Sequence, residues 1–210
     1  HFEPGVRTTA FRALLTLIRQ LKPVAVVCNG DALDFSAISR HARIGWEKRT
    51  SVAEELQTCK ERLGEIEEAS KGARMIWPLG NHDSRLAARL AAIAPEFEGI
   101  KNFDLKDHFP DWEPCWAVFV NDDTLIAHRY HNGIHAVYNN IVKGQCNYVT
   151  GHLHSLKVTP YTNALGSTLY GVDTGMLGEP LQATMIDYME SRHGNWRSGF
   201  AVLTWREIGR

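Results

Sequence analysis

Four short apolar runs along the chain each lead directly into polar residues. The runs cover residues 24–29, 75–79, 124–127 and 147–150. Short apolar runs bounded by turn residues are typical of buried β-strands. After the four runs come, in order, the residues Gly-Asp, Gly-Asn-His-Asp, His and Gly-His-Leu-His. Because side chains at the carboxyl edge of a sheet commonly form the site of an α/β protein, the pattern predicts a site at these strand ends.

Between the apolar runs, apolar residues recur at the spacing of α-helices. A first helix is predicted from Thr8 or Thr9, as the N-cap, to Pro23, which cannot continue it. Ser51 and Glu54 have the spacing of a capping box and predict a second helix that ends near residue 70. Two further helices are predicted, over residues 84–94 and 133–142.

Beyond residue 115 the pattern becomes mostly β. Asn121-Asp122-Asp123 separates two apolar segments, 116–120 and 124–127, and this predicts a hairpin. Further strands are predicted near residues 147–150, 155–161, 168–172 and 199–205. Because no linker or repeat interrupts the sequence, we predict one α/β domain over residues 1–210, with two sheets packed face to face and helices outside.

Composition limits the class of protein but not its substrate. The chain has 210 residues, enough for one sizeable core, and its formal net charge of −1 gives no overall preference for nucleic acid or acidic lipid. No apolar run has the length of a membrane span, and no signal peptide is visible. The four cysteines lack the CxxC spacing of metal and redox motifs. We therefore expect buried free thiols in a cytoplasmic protein, the alternatives being a disulfide or a zinc site.

The polar residues at the strand ends are oxygen and imidazole donors, the ligand types of borderline divalent metals. Four motifs carry them: Gly30-Asp31-x-x-Asp34, Gly80-Asn81-His82-Asp83, His128 directly after a strand, and Gly151-His152-x-His154. Their order and placement resemble the calcineurin-like metallophosphoesterases. The resemblance implies that family's four-layer α-β-β-α sandwich of two mixed sheets flanked by helices. The length of the chain and the Arg that follows the second motif are also similar to phage-encoded members.

The resemblance implies a dinuclear metal site. Two divalent metals about 3.5–4 Å apart can activate a water and clamp the oxygens of a phosphoryl group. By resemblance, Asp31 bridges the two metals. The other ligands are Asn81, His128 and His152 for the second metal, and His154 and His1 for the first. In the family an Asp two residues before the His of an Asp-x-His motif completes the first site, and this sequence starts at the His. We expect Mn²⁺, with Fe, Zn, Ni or Mg as alternatives.

A leaving alkoxide needs a proton, and an imidazole suits that task near neutral pH. The resemblance assigns proton donation to His82, which the carboxylate of Asp34 orients. Asp83 is expected to hydrogen-bond the backbone of its loop. Candidate substrate contacts come from three further side chains: Arg85, Arg129 and His41. For each of these three, a solvated surface role is the alternative.

We expect a dinuclear metal-dependent phosphoesterase that hydrolyses a phosphodiester, with nucleic acid or a nucleotide as the candidate substrate and no membrane partner. The basic stretch Arg40–Arg49 could hold a polyanion, and Trp46 could stack on a base. Phosphoprotein phosphatases of the superfamily have Arg-Gly after the second Asp of the first motif, whereas this chain has Phe35-Ser36. A phosphomonoesterase, including a protein phosphatase, is the alternative enzyme. A metal-poor binding scaffold is the alternative without turnover.

Overall fold

A computed structural model describes residues 1–42, 46, 48–181 and 194–205 of the chain. Five α-helices lie in these residues: α1 Thr9–Leu21, α2 Val52–Ala69, α3 Arg85–Ile93, α4 Leu105–His108 and α5 Ala136–Gly144. Two short 3₁₀ helices cover Ser36–Ile38 and Pro95–Phe97. The first two α-helices begin as their sequences predict. The Thr8 hydroxyl caps α1, and Ser51 and Glu54 form the capping box of α2.

Eight strands form two separate sheets in the described part of the chain. The strands are β1 Ala25–Val27, β2 Arg74–Pro78, β3 Glu113–Cys115, β4 Ala117–Val120, β5 Thr124–Ala127, β6 Asn147–Thr150, β7 Lys157–Thr162 and β8 Thr168–Asp173. The first sheet is parallel, in the order β1-β2-β3. The second is mixed, in the order β4-β5-β6-β8-β7. The predicted mixed α/β fold with two sheets is confirmed.

Helices cover the outer faces of the sheets. On the first sheet, α1 and α2 contribute Phe11, Leu15 and Leu63 to a core that also includes Trp77 of β2. On the second sheet, α5 packs over β6, β7 and β8 and buries Ile141 against Tyr148. Apolar side chains of β1, β5 and β6 line one cavity between the sheets. The layers therefore run helix, sheet, sheet, helix, as expected.

Two strand predictions differ from the structure. Glu113–Cys115 forms β3, which the sequence did not reveal because the strand has three residues and includes a proline. The pattern of residues 199–205 predicts a strand, but the structure assigns none there, and the isolated bridge closest to it joins Ser198 to Met176. Within this segment only residues 201–204 alternate between half-buried and exposed, and the segment lacks a neighbouring strand among the described residues.

All four cysteines are free thiols, but the expectation that they are buried holds for Cys59 alone, since Cys28, Cys115 and Cys146 are half-buried. Cys59 is fully buried, and burial raises its pKa well above the ordinary value of a thiol. Burial likewise raises the pKa values of Cys28, Cys115 and Cys146. None of the helices in the described residues combines the length and the apolar character needed to cross a membrane.

Candidate active site

The loops after β1 and β2 meet closely, and two glycines make this contact possible. A Cβ atom on Gly30 would lie 2.3 Å from His128 Nδ1, and one on Gly80 would lie 2.0 Å from Asp31 Oδ1. Neither position has space for a side chain, and Gly30 also has a positive φ of 81°. The glycines of the first two motifs therefore let Asp31 and His128 approach each other.

Asp83 fixes the geometry where these two loops meet. Its carboxylate accepts hydrogen bonds from the backbone N–H groups of Asp31 at 2.8 Å, Leu33 at 3.1 Å and Gly80 at 2.8 Å. It also accepts the indole N–H of Trp77 at 3.1 Å. Burial raises the pKa of this inaccessible carboxyl, although its hydrogen bonds oppose the shift. The predicted structural role of Asp83 agrees with these contacts.

Three predicted metal ligands converge in one place. The candidate donor atoms of Asp31, His128 and His152 all lie within 4.8 Å of one another. His128 Nε2 is 3.1 Å from Asp31 Oδ2, and His152 Nδ1 is 3.2 Å from His128 Nε2. His128 Nδ1 lies 2.8 Å from the backbone carbonyl oxygen of Asn29 and can donate a hydrogen bond to it. That bond fixes the ring so that Nε2 faces the other two ligands.

The negative charge of Asp31 makes the cluster of Asp31, His128 and His152 suitable for binding cations. Burial alone would raise the pKa of Asp31, but the hydrogen bond and charge of His128 hold it well below its usual range. Burial lowers the pKa of His128, yet its contact with Asp31 outweighs this and raises the pKa overall. Burial and the nearby charge of His128 lower the pKa of His152. The site therefore combines an ionised carboxylate with two imidazoles.

Two further predicted ligands have buried donor atoms without a partner. Asn81 Oδ1 and His154 Nδ1 are both inaccessible and make no hydrogen bond within the described part of the chain. Burial lowers the pKa of His154 to about 4, so its imidazole is neutral near pH 7. An unpaired buried polar atom is costly, and a bound cation would remove that cost at both positions. The donors present thus fit divalent metals.

Asp173 holds the loop that carries His152 and His154. Its buried carboxylate accepts the backbone N–H groups of Leu153 at 3.3 Å, Ser155 at 2.8 Å and Gly175 at 3.1 Å. The motifs at the strand ends did not include this residue. The sequence does contain a pattern that could have indicated it, because β8 ends in Asp173 just as the four apolar runs described above lead into polar residues.

His82 and Asp34 form the predicted dyad. His82 Nδ1 lies 2.6 Å from Asp34 Oδ1, and the His82 backbone N–H donates to Asp31 Oδ1 at 2.9 Å. The dyad is therefore connected directly to the proposed metal bridge. Glu55 supports it from α2, because Glu55 Oε2 accepts the backbone N–H groups of Asp34 at 2.9 Å and Phe35 at 2.6 Å.

Arg85, predicted to contact substrate, is bound to the dyad in this structure. Its Nη1 donates to the backbone carbonyl of Asp34 at 2.6 Å and to Asp34 Oδ1 at 3.0 Å. Its Nη2 is 3.2 Å from His82 Nε2. Because a guanidinium can only donate, His82 accepts at Nε2 and carries its proton on Nδ1, toward Asp34.

The remaining predicted residues lie outside the central trio. His1 is exposed and lines the same cavity as Asp31, His128 and His154. Arg129 is exposed, and its charge contributes to lowering the pKa of His152. The His41 side chain is exposed, while its backbone N–H donates to Ser39 and its carbonyl accepts from Arg49.

The basic stretch Arg40–Arg49 is described only in part. Residues 43–45 and 47 lie outside the described residues. Trp46 is fully exposed, as a stacking residue would be. Arg49 points inward and donates to the Ser36 carbonyl at 2.8 Å.

Comparison with known proteins found similarity to phage proteins. The chain is 23% identical over 224 aligned residues to the Gene 54 protein of Mycobacterium phage L5, covering 92% of this chain and 81% of that protein. It is 25% identical over 229 aligned residues to the Gene 54 protein of Mycobacterium phage D29, with the same coverage of each chain. No protein-family model matches the chain, and no solved structure matches it either.

Proposed function

We propose that this protein is a metal-dependent phosphoesterase with a dinuclear centre. The observation that carries the proposal is the convergence of Asp31, His128 and His152 beside the His82–Asp34 pair. The unpaired donor atoms of Asn81 and His154 supply the further ligands that a second ion needs. Aspartate, asparagine and histidine suit Mn²⁺, with Fe, Zn, Ni and Mg as alternatives.

Each residue of the proposed centre has a distinct task. When bound, two divalent ions would activate a water and neutralise charge on the phosphoryl oxygens. Asp31, Asn81, His128 and His152 would hold one ion, and Asp31, His154 and His1 would hold the other. Asp83 and Asp173 keep these ligands in place through backbone hydrogen bonds.

The dyad supplies the proton for the leaving group. Asp34 holds the His82 ring at Nδ1 and stabilises the imidazolium. To act as the acid, the ring must first take up a second proton at Nε2, and Nε2 then delivers that proton to the leaving oxygen. Because Arg85 now donates to Nε2, the guanidinium must turn away when substrate binds, toward the negative phosphate. This movement would give Arg85 the substrate contact that its position after the second motif predicts.

The proposed substrate is a phosphodiester, with nucleic acid as the candidate partner. Arg85 is partly neutralised by Asp34, and no arginine follows that carboxylate directly in sequence. A monoanionic diester needs fewer cations than a dianionic monoester. The four free thiols are compatible with a reducing compartment, and we propose a cytoplasmic location.

A comparison of small chromogenic substrates tests the proposed function. The protein is stripped with chelator, reloaded with Mn²⁺ and assayed with bis-(p-nitrophenyl) phosphate and p-nitrophenyl phosphate. We expect metal-dependent cleavage with a higher kcat/KM for the diester. Faster cleavage of the monoester would indicate a phosphatase. No metal-dependent cleavage of either compound would contradict the proposal.

A further inference from the structure

Helix α3 begins directly after the second motif and lies at the surface of the molecule. It covers Arg85–Ile93, and none of its residues is buried. Leu86 packs against the edge of the first core, while Ile93 at the other end is 60% exposed. The two 3₁₀ helices, Ser36–Ile38 and Pro95–Phe97, are its neighbours in the fold. Packing therefore explains little of the position of α3, and the feature that its first turn adjoins is the candidate active site.

Two arginines lie on one face of this helix. Arg85 and Arg89 are four positions apart, which places them one above the other, one helical turn apart. Arg85 is the nearer to the site, where it binds Asp34 and lies beside His82. Arg89 is exposed. Because side chains of a helix lean toward its N-terminus, Arg89 leans toward the end of α3 that adjoins the dyad. The row of cations therefore runs from the dyad through Arg85 to Arg89.

The placement of these two charges is unfavourable for the helix itself. Like charges four positions apart repel each other, and a cation in the first turn opposes the helix dipole. The first turn of α3 holds no acidic residue, and Ser84 gives it no side-chain cap. Asp34 offsets the charge of Arg85, but among the described residues no carboxylate pairs with Arg89. An anion bound beside Arg89 would relieve this repulsion.

The spacing of the two arginines indicates the kind of anion. One turn of an α-helix rises about 5.4 Å. That distance is close to the separation of neighbouring phosphates along an extended nucleic-acid strand, and proteins that bind single strands place cations along the backbone in this way. The phosphates of a nucleoside diphosphate share one oxygen atom and lie much closer together. The spacing therefore favours two phosphates joined through a sugar over a pyrophosphate.

We propose that Arg89 binds the phosphate next to the scissile phosphate, so that the preferred substrate is a nucleic-acid strand with at least two consecutive phosphates. This inference rests on the proposed phosphoesterase function and narrows its substrate class. Arg85 contacts the scissile phosphate once it has turned away from His82, and Arg89 contacts the neighbouring phosphate one turn further along α3. Arg89 touches no reacting atom in this arrangement. It therefore determines substrate specificity and takes no part in the chemical step.

Dinucleotides that differ by one phosphate test this contact. The substrates are thymidylyl-thymidine, which has one phosphate, and its two forms with an added 5′- or 3′-terminal phosphate. For the Mn²⁺-loaded wild type, we expect kcat/KM for one of the two-phosphate forms to exceed that for the one-phosphate form by about tenfold, the effect of one charge-assisted hydrogen bond. Arg89→Gln should bring this ratio close to one, and Arg89→Lys should keep most of it. Arg19→Gln, at an exposed position of α1, is the matched control and should keep the full ratio.

Two kinetic results would overturn the proposal. One is a wild type that cleaves all three dinucleotides equally well. The other is an Arg89→Gln variant with the same ratio as the wild type, because a merely structural role would lower cleavage of all three substrates together.

Failure of the proposed function has a different signature. A wild type that cleaves none of the three dinucleotides would contradict the phosphoesterase assignment. Calorimetric titration of the same dinucleotides would then test Arg89 through the ratio of dissociation constants. A preference for two phosphates that Arg89→Gln removes would support the contact, and equal constants in the wild type would overturn it.

Discussion

At the scale of single residues, the proposed mechanism gives His82 the task of proton donation and no part in metal binding. Its ring contacts Asp34 and Arg85, and its backbone rather than its ring contacts Asp31. We expect His82→Ala to retain bound metal and to lose on the order of 10²–10⁴ in rate, the range of general acid catalysis. A diester with a very acidic leaving group should lose least, since it needs little protonation.

Steady-state kinetics over a series of leaving groups measures this effect. Half-buried His108 of α4, replaced by alanine, is the control and should behave like the wild type. Equal loss on every leaving group, or loss of metal from His82→Ala, would assign His82 a different role.

Glu55 links stability to pH. Burial raises its pKa above the ordinary value of 4.5, although its hydrogen bonds to Asp34 and Phe35 oppose the shift. The folded state therefore holds this proton more tightly than the unfolded state, and wild-type stability falls as pH rises through the window from 4.5 to the raised pKa. Glu55→Gln keeps an acceptor oxygen and does not titrate, so its stability relative to the wild type should rise over that window.

Denaturant unfolding of both proteins at several pH values gives the comparison. Glu55→Ala removes the acceptor and should cost about 1–3 kcal/mol at every pH. A difference between Glu55→Gln and the wild type that stays constant with pH would show that the carboxyl does not titrate differently on folding.

At the scale of elements, Asp173 positions a loop rather than a reacting atom. Its three backbone hydrogen bonds hold residues 153–155 and Gly175. In Asp173→Asn the amide nitrogen cannot accept, so at least one buried N–H is left unpaired. We expect a loss of about 1–3 kcal/mol in unfolding free energy and a 10–100-fold weaker metal affinity.

Calorimetric metal titration and thermal unfolding measure the two effects. Asp122→Asn, at an exposed position in the turn between β4 and β5, is the control and should change neither. Unchanged metal affinity in Asp173→Asn would separate this loop from the metal centre.

Local features of the elements were predictable from the sequence, and long-range contacts were not. The Ser51–Glu54 capping box and the hairpin of β4 and β5 depend on neighbouring residues, and both are confirmed. Glu55 and Asp173 support loops through bonds to residues about twenty positions away. No local pattern encodes such pairs, so the sequence indicated the site-forming strand ends but not the carboxylates that hold them.

At the scale of the whole molecule, the proposed nucleic-acid substrate would be held by the basic stretch Arg40–Arg49. If nucleic acid is the substrate, cleavage of an oligonucleotide should weaken with salt because counterions are released on binding. A small chromogenic diester should be nearly insensitive to salt. Replacing Arg40 and Lys48 by glutamine should raise KM for the oligonucleotide. The slope of log KM against log salt concentration should also fall by roughly one for each phosphate contact that is lost.

The same assays on a Lys71→Gln control should match the wild type, because Lys71 lies after α2, outside this stretch. Salt-insensitive cleavage of the oligonucleotide would discard the basic stretch as a binding surface. Diester cleavage without action on any oligonucleotide would keep the chemistry and discard the nuclease assignment.

The number of metal ions per chain tests the central claim most directly. We would count Mn²⁺ by elemental analysis and native mass spectrometry in the wild-type protein, in Asp31→Asn and in His82→Ala. The proposed centre predicts two ions in the wild type, two in His82→Ala, and fewer than two in Asp31→Asn, since that variant loses the bridging carboxylate. A wild-type protein that never binds more than one ion, or an Asp31→Asn variant that still binds two, would contradict a dinuclear centre bridged by Asp31.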